Sequence, residues 1–130
     1  MYTFFEYQID SRVTATYPAY VPYVDGQLNF EQQKHIFEDS AYDLIYPLLG
    51  LSGETGEVIE KVKKIIRNKN GVVSEEDRED IKKELGDVLW YLTQIASDLD
   101  IDLESVAKTN IKKICSRKER GLVLGEGDDR

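Results

Sequence analysis

Cysteine, histidine and long apolar runs are what this chain lacks most. One cysteine, Cys115, stands in 130 residues, so no internal disulfide can form. That fits a reducing compartment. The single histidine, His35, lies outside both acidic motifs described below, which excludes a di-iron bundle built on E-x-x-H pairs. His35 reads as a surface or loop residue, with reach toward a ligand as the other reading. Basic charge is also short: Lys and Arg total 17 against 25 Asp and Glu, a net charge of −8. Such a surface argues against nucleic acid as the partner, because backbone binding rests on Lys and Arg. It leaves open a small phosphorylated ligand held through metal ions. No stretch approaches about 18 apolar residues, so no membrane span is expected. The start "MYTFFEYQID" has neither a basic opening nor a long apolar run, so it does not read as a signal peptide. The expectation is a soluble, cytoplasmic protein. No G-x-x-x-x-G-K-[ST] occurs, which removes a P-loop. "DLDIDLESVAKT" fails as an EF-hand, lacking glycine at its sixth position and glutamate at its twelfth.

Strand signals are sparse and helical ones are not, so the expected class is all-α. The length suits one domain. It divides into an N-terminal helix and extended arm over 1–41, core helices over 42–119 and a tail over 120–130. Phe4 to Thr16 reads as a short helix with Phe4, Phe5, Ile9 and Val13 to one side. "YPAYVPYVDGQLN" reads as an ordered arm, and "FEQQKHIFEDS" as a short helix. From Tyr42 to Asn68, Leu44, Leu48, Leu51, Val58, Val62, Ile65 and Ile66 recur at helical spacing. Asn70-Gly71 signals a turn, and Ser74 reads as an N-cap before the acidic first turn Glu75, Glu76, Asp77. The next helix runs to Leu99, with Ile81, Leu85, Val88, Leu89, Leu92, Ile95 and Leu99 inward; a fourth spans Leu103 to Glu119. A chain this small often completes its core by associating.

Two of these helices carry the same device. "GETGEV" and "KELGDV" both read E-x-G-[E/D]-V, and Glu84 follows Glu54 by 30 positions. At about 100° per residue, Glu57 stands at about 300° from Glu54, and Asp87 likewise from Glu84. Each pair flanks its apolar stripe, whereas a solvated charge run more often lies opposite. In an antiparallel hairpin both pairs would stand about 14 Å from the connecting turn. Glu54, Glu57, Glu84 and Asp87 would then converge. Four such carboxylates repel one another unless protonated or neutralised by cations. Hard divalent cations suit them, since Mg²⁺ prefers oxygen ligands. Gly56 and Gly86, which point away from the carboxylates, suggest close approach to another helix.

Basic groups stand nearby. Lys61 and Lys64 follow Glu57 by one and two turns and either face phosphates or form helix ion pairs. Asn110, Lys113 and Arg117 share an arc of about 60° on the fourth helix. They border the stripe of Leu103, Val106, Ala107 and Ile114 and either hold phosphate oxygens or belong to a solvated basic face. Trp90 and Tyr91, beside Asp87, read as packing residues ahead of base-stacking platforms.

From about Phe4 to Arg130 the chain resembles the MazG-like nucleotide pyrophosphohydrolases, especially the short single-domain forms of phages and bacteria. The resemblance is carried by "EYQ", by "YPLLGLSGETGEVIEKVKKIIR", by "IKKELGDVLWYLTQIASDLDIDLESVAKTNIKKICSRKERG" and by "GEGDDR". It implies an all-α bundle completed by homo-oligomerisation, as a homodimer or homotetramer. It implies Mg²⁺-dependent hydrolysis of a nucleoside triphosphate to monophosphate and pyrophosphate, with Mn²⁺ as a possible substitute. Glu54, Glu57, Glu84 and Asp87 match the family's metal-binding and catalytic carboxylates. Asn110, Lys113 and Arg117 match positions linked to nucleotide binding, and Lys61 and Lys64 match a basic pair. Which carboxylate acts as base stays open. Residues 19–41 are longer than the family pattern and put base preference in doubt. Hydrolysis of a guanosine alarmone and a non-catalytic nucleotide-binding, oligomerising module are the competing readings.

Overall fold

The computed structural model describes residues 1–17 and 44–121. The expected arm, the short helix around "FEQQKHIFEDS", His35 and the "GEGDDR" ending lie outside them. Among the described residues the secondary structure is four helices: α1 (Phe4–Val13), α2 (Ile45–Lys69), α3 (Glu75–Asp98) and α4 (Leu103–Glu119). No described helix is long and apolar enough to cross a membrane. The class is all-α, as the periodicity indicates.

The ends are set by local chemistry. Thr3 caps α1 and Ser74 caps α3, each in a reciprocal capping box with the residue three positions on. Asp102 caps α4 through its carboxylate. Pro47 sits in the first turn of α2, where no intrahelical N–H is required. α2 stops at Asn70 and Gly71, both left-handed with φ of 51° and 79°, and both their N–H groups donate to Ile65 O. Lys69 Nζ then crosses the turn to Asp77, at 2.6 and 2.8 Å from its two carboxylate oxygens. The Lys69 ammonium and the Ser74 hydroxyl and N–H together hold the Asp77 carboxyl down at about 2. This turn lays α3 back along α2, the most extensive helix pair among the described residues.

α1 docks on α3 in an unexpected way. Phe4, Phe5, Ile9 and Val13, which the sequence puts to one side, are all exposed, Val13 at 82%. The face that packs is polar. Gln94, fully buried on α3, donates to Ser11 Oγ at 3.2 Å and accepts from Arg12 at 3.2 Å. Arg12 also pairs with Asp98 at 2.6 Å, and Trp90 Nε1 donates to Thr14 Oγ1 at 2.8 Å. Gln8 bridges α1 to the α3–α4 connection, donating to Ser97 Oγ and Ile101 O and accepting from Leu103 N–H at 2.9 Å. Hydrogen-bond partners on α3 decided this orientation over apolar periodicity.

The expected apolar stripes form, but a single chain covers them poorly. Ile65 is buried at 5% exposure, whereas Ile59, Val62, Ile66, Leu85 and Leu92 are all exposed. α4 anchors through buried Leu103 and leaves Val106, Ile111 and Ile114 exposed. It packs on α1 and α3 and not on α2.

Among the described residues of one chain, a Cβ at Gly56 or Gly86 would meet nothing within 4 Å. Both point away from the α2–α3 contact. Gly50 is the crowded one: a Cβ there would lie 2.1–2.6 Å from the Tyr91 ring. Overpacking of this kind typically costs about 1–3 kcal/mol. Gly50→Ala is therefore expected to lower stability by about that much in urea denaturation. Adding Tyr91→Ala should recover part of the loss, and an unaltered midpoint for Gly50→Ala alone would contradict the contact.

Candidate metal and nucleotide site

The α2–α3 hairpin brings three of the four sequence-selected carboxylates together. One ligand oxygen each from Glu54, Glu84 and Asp87 lies within 4.8 Å of the others. Glu57 does not belong to that group. It sits one turn further along α2, offset by about 60° round the axis, and is exposed at the rim. The expected four-fold convergence is thus three carboxylates with the fourth beside them.

Charge crowding is visible at Glu54. Burial pushes its carboxyl up, and the neighbouring charges of Asp87, Glu84 and Glu57 push it further. Lys61 answers them. Lys61 Nζ lies 3.1 Å from Glu84 Oε1, with both side chains less than a third exposed. Lys64 instead pairs with Glu60 on its own helix at 3.5 Å. Of the two lysines, only Lys61 is thereby tied to the acidic group.

Two tyrosines border the same place. Tyr7 on α1 has its phenol pushed up by burial and then by the Asp87 charge. Spacing along the sequence gives no sign of this, and the only signal is its position in "EYQ". Tyr91, one turn beyond Asp87, is pushed up by burial and then by Tyr46, Glu54 and Asp87. Tyr91 packs edge-on to Trp90 with centroids 4.9 Å apart. Trp90 meets Tyr17 edge-on at 6.2 Å, and Tyr17 stacks on Tyr46 at 5.4 Å. Trp90 and Tyr91 thus belong to one cluster of aromatic rings. Burial and the hydrogen bond to Asp98 push the Tyr17 phenol up to about 12.

The α4 residues stand differently. Asn110 and Lys113 are exposed, and Arg117 is buried at 9% exposure. Because α4 does not pack against α2, this helix does not close over Glu54 within one chain. Cys115 is free and exposed.

The donor set of the acidic group is oxygen alone, which fits a hard divalent cation and not a thiophilic one. Residues 47–122 match the MazG nucleotide pyrophosphohydrolase domain. The chain is also 50% identical over 92 residues to the Gene 37 protein of Mycobacterium phage L5, covering 71% of this chain and 81% of that one. No solved structure matches. The chain belongs to the MazG nucleotide pyrophosphohydrolase family, and the family carries the coarse activity, hydrolysis within a nucleotide's phosphate chain.

The raised Glu54 carboxyl has a consequence for the metal-free protein. A group held higher in the folded state than in the unfolded one contributes stability that is full below its unfolded value and lost as pH rises through the folded one. Metal-free wild type should therefore lose thermal stability more steeply than Glu54→Gln as the pH rises above the ordinary carboxyl range. Melting curves of both proteins in chelator over that rise in pH check the sign.

Proposed function

We propose that this chain hydrolyses nucleoside triphosphates, ribo- or deoxyribo-, to the monophosphate and pyrophosphate, with Mg²⁺ as cofactor. The observation that carries the reading is the acidic group of Glu54, Glu84 and Asp87 on a MazG domain. These three residues would hold the cation. Bound there, Mg²⁺ would offset phosphate charge and favour ionisation of a water. Mn²⁺ shares the oxygen preference and can substitute.

The chain's own groups supply the rest. Glu57 stands next to the acidic group without belonging to it, which leaves it to accept the proton of the attacking water. Water oxygen bonds to the α-phosphorus, the bond from that phosphorus to the bridging oxygen breaks, and pyrophosphate leaves with the electron pair. Lys64 lies further along α2 and would meet the leaving phosphates, while Lys61 pairs with Glu84. Asn110, Lys113 and Arg117 would add donors for phosphate oxygens from α4. Since that helix does not reach α2 in its own chain, it would do so across a subunit boundary.

Homo-oligomerisation is part of the same proposal. Ile59, Val62 and Ile66 stand at i, i+3 and i+7 on α2, exposed at 62%, 42% and 64%. Such a stripe matches a helix–helix contact. A homodimer or homotetramer would cover it.

Pyrophosphate release from a panel of ribo- and deoxyribonucleoside triphosphates, with Mg²⁺ and with chelator, tests the activity. Release should require the metal and fall by at least about 100-fold in Glu57→Gln and in Asp87→Asn. Release of pyrophosphate from a guanosine tetraphosphate alone would move the substrate to the alarmones. Turnover from none, by folded protein, would favour a binding module. Light scattering should give a dimer or tetramer for wild type, and Ile59→Asp with Ile66→Asp should give monomers at micromolar concentration.

A further inference from the structure

Lys61 holds a position that a substrate-binding lysine does not need. Its stem rises from α2 one turn after Glu57, and its Nζ turns across the helix pair to Glu84 on α3 at 3.1 Å. Glu84 belongs to the group of three converging carboxylates. Lys63 and Lys64, by contrast, both pair with Glu60 on their own helix. The ammonium of Lys61 therefore stands among like charges that otherwise repel one another. It supplies to one of them part of what a divalent cation would supply to all three. Lys61 also lines a second space. A cavity of about 170 Å³ runs along the α2–α3 groove toward the turn, bordered by Lys61, Lys64, Asn68, Asp77 and Asp80. Asp80 lies one turn before Glu84 on α3, so a long, unbranched side chain at position 61 has a second carboxylate to turn to.

We propose that Lys61 is a built-in counter-cation for the carboxylate group. It holds Glu84 in place while no metal is bound and gives up that contact when a divalent cation arrives, turning its Nζ into the cavity beside Asp80. The inference rests on the reading of Glu54, Glu84 and Asp87 as the Mg²⁺ site. Lys61 is here a positioning residue: it acts on the metal site through Glu84. The same charge has two opposite effects. It keeps the empty group from flying apart, and it competes with the metal for a ligand.

The competition has a signature that a merely structural lysine would not give. Titration calorimetry with Mg²⁺ alone, on the full chain without nucleotide, should show Lys61→Met binding the metal about 3- to 10-fold more tightly than wild type. The same variant in chelator should melt at a lower temperature than wild type and recover more on adding Mg²⁺. Lys61→Arg, which keeps the charge, should restore the wild-type affinity. Lys63→Met removes one charge from the same helix without touching the acidic group and should leave the affinity unchanged. Equal or weaker Mg²⁺ binding by folded Lys61→Met would overturn the proposal, as would equally tight binding by Lys63→Met. No Mg²⁺ binding by wild type would instead sink the metal reading beneath it, so the two failures are told apart.

Discussion

Everything at the acidic group depends on how α2 folds back on α3. A helix pair that slid by one turn would carry Glu54 about 5 Å out of level with Glu84 and Asp87, and the group would dissolve into ordinary surface acids. The turn prevents the slide. Two successive left-handed residues, Asn70 and Gly71, end α2. Ser74 and Asp77 start α3, and Lys69 fastens one side to the other through Asp77. Further along the pair, the Tyr91 ring lies across Gly50, where no side chain can stand. The register is thus pinned at both ends, with the carboxylates between them.

Against that frame the electrostatics are adverse. Three converging carboxylates and a fourth at the rim face the Lys61 ammonium, in a chain whose net charge is already −8. Folding energy from the rest of the molecule must hold them together. The single chain offers limited apolar burial for this, since of the stripe residues on α2 and α3 only Ile65 is buried and the rest are half-buried or exposed. Capping, ion pairs and polar docking carry a large share of the described structure.

Much of this could be read from the sequence. The 3.6-residue period located α2, α3 and α4 to within a few residues, because long amphipathic helices leave strong signals. Ser74 and Asn70-Gly71 were legible because capping and left-handed turns demand particular residue types. The matched phase of the two acidic pairs foretold the meeting of Glu54, Glu84 and Asp87, but not that Glu57 would stand beside them. Two things escaped. Phe4, Phe5, Ile9 and Val13 share one side of α1, yet nothing in a hydropathy pattern records that Gln94 and Asp98 wait on α3 as partners for Ser11 and Arg12. Tyr7 joins the site through tertiary folding alone, across a separation of 80 positions from Asp87.

The buried amide of Gln94 has a consequence for recognition between segments of one chain. An apolar ridge tolerates small shifts, because one methyl contact replaces another. An amide with a donor and an acceptor both engaged does not. Moved by one residue, α1 would present Asp10 or Arg12 where Ser11 now stands, and would strand Gln94 away from water without a partner. α1 therefore docks in one register or not at all, and Gln94 works as a lock that reads the spelling of its key.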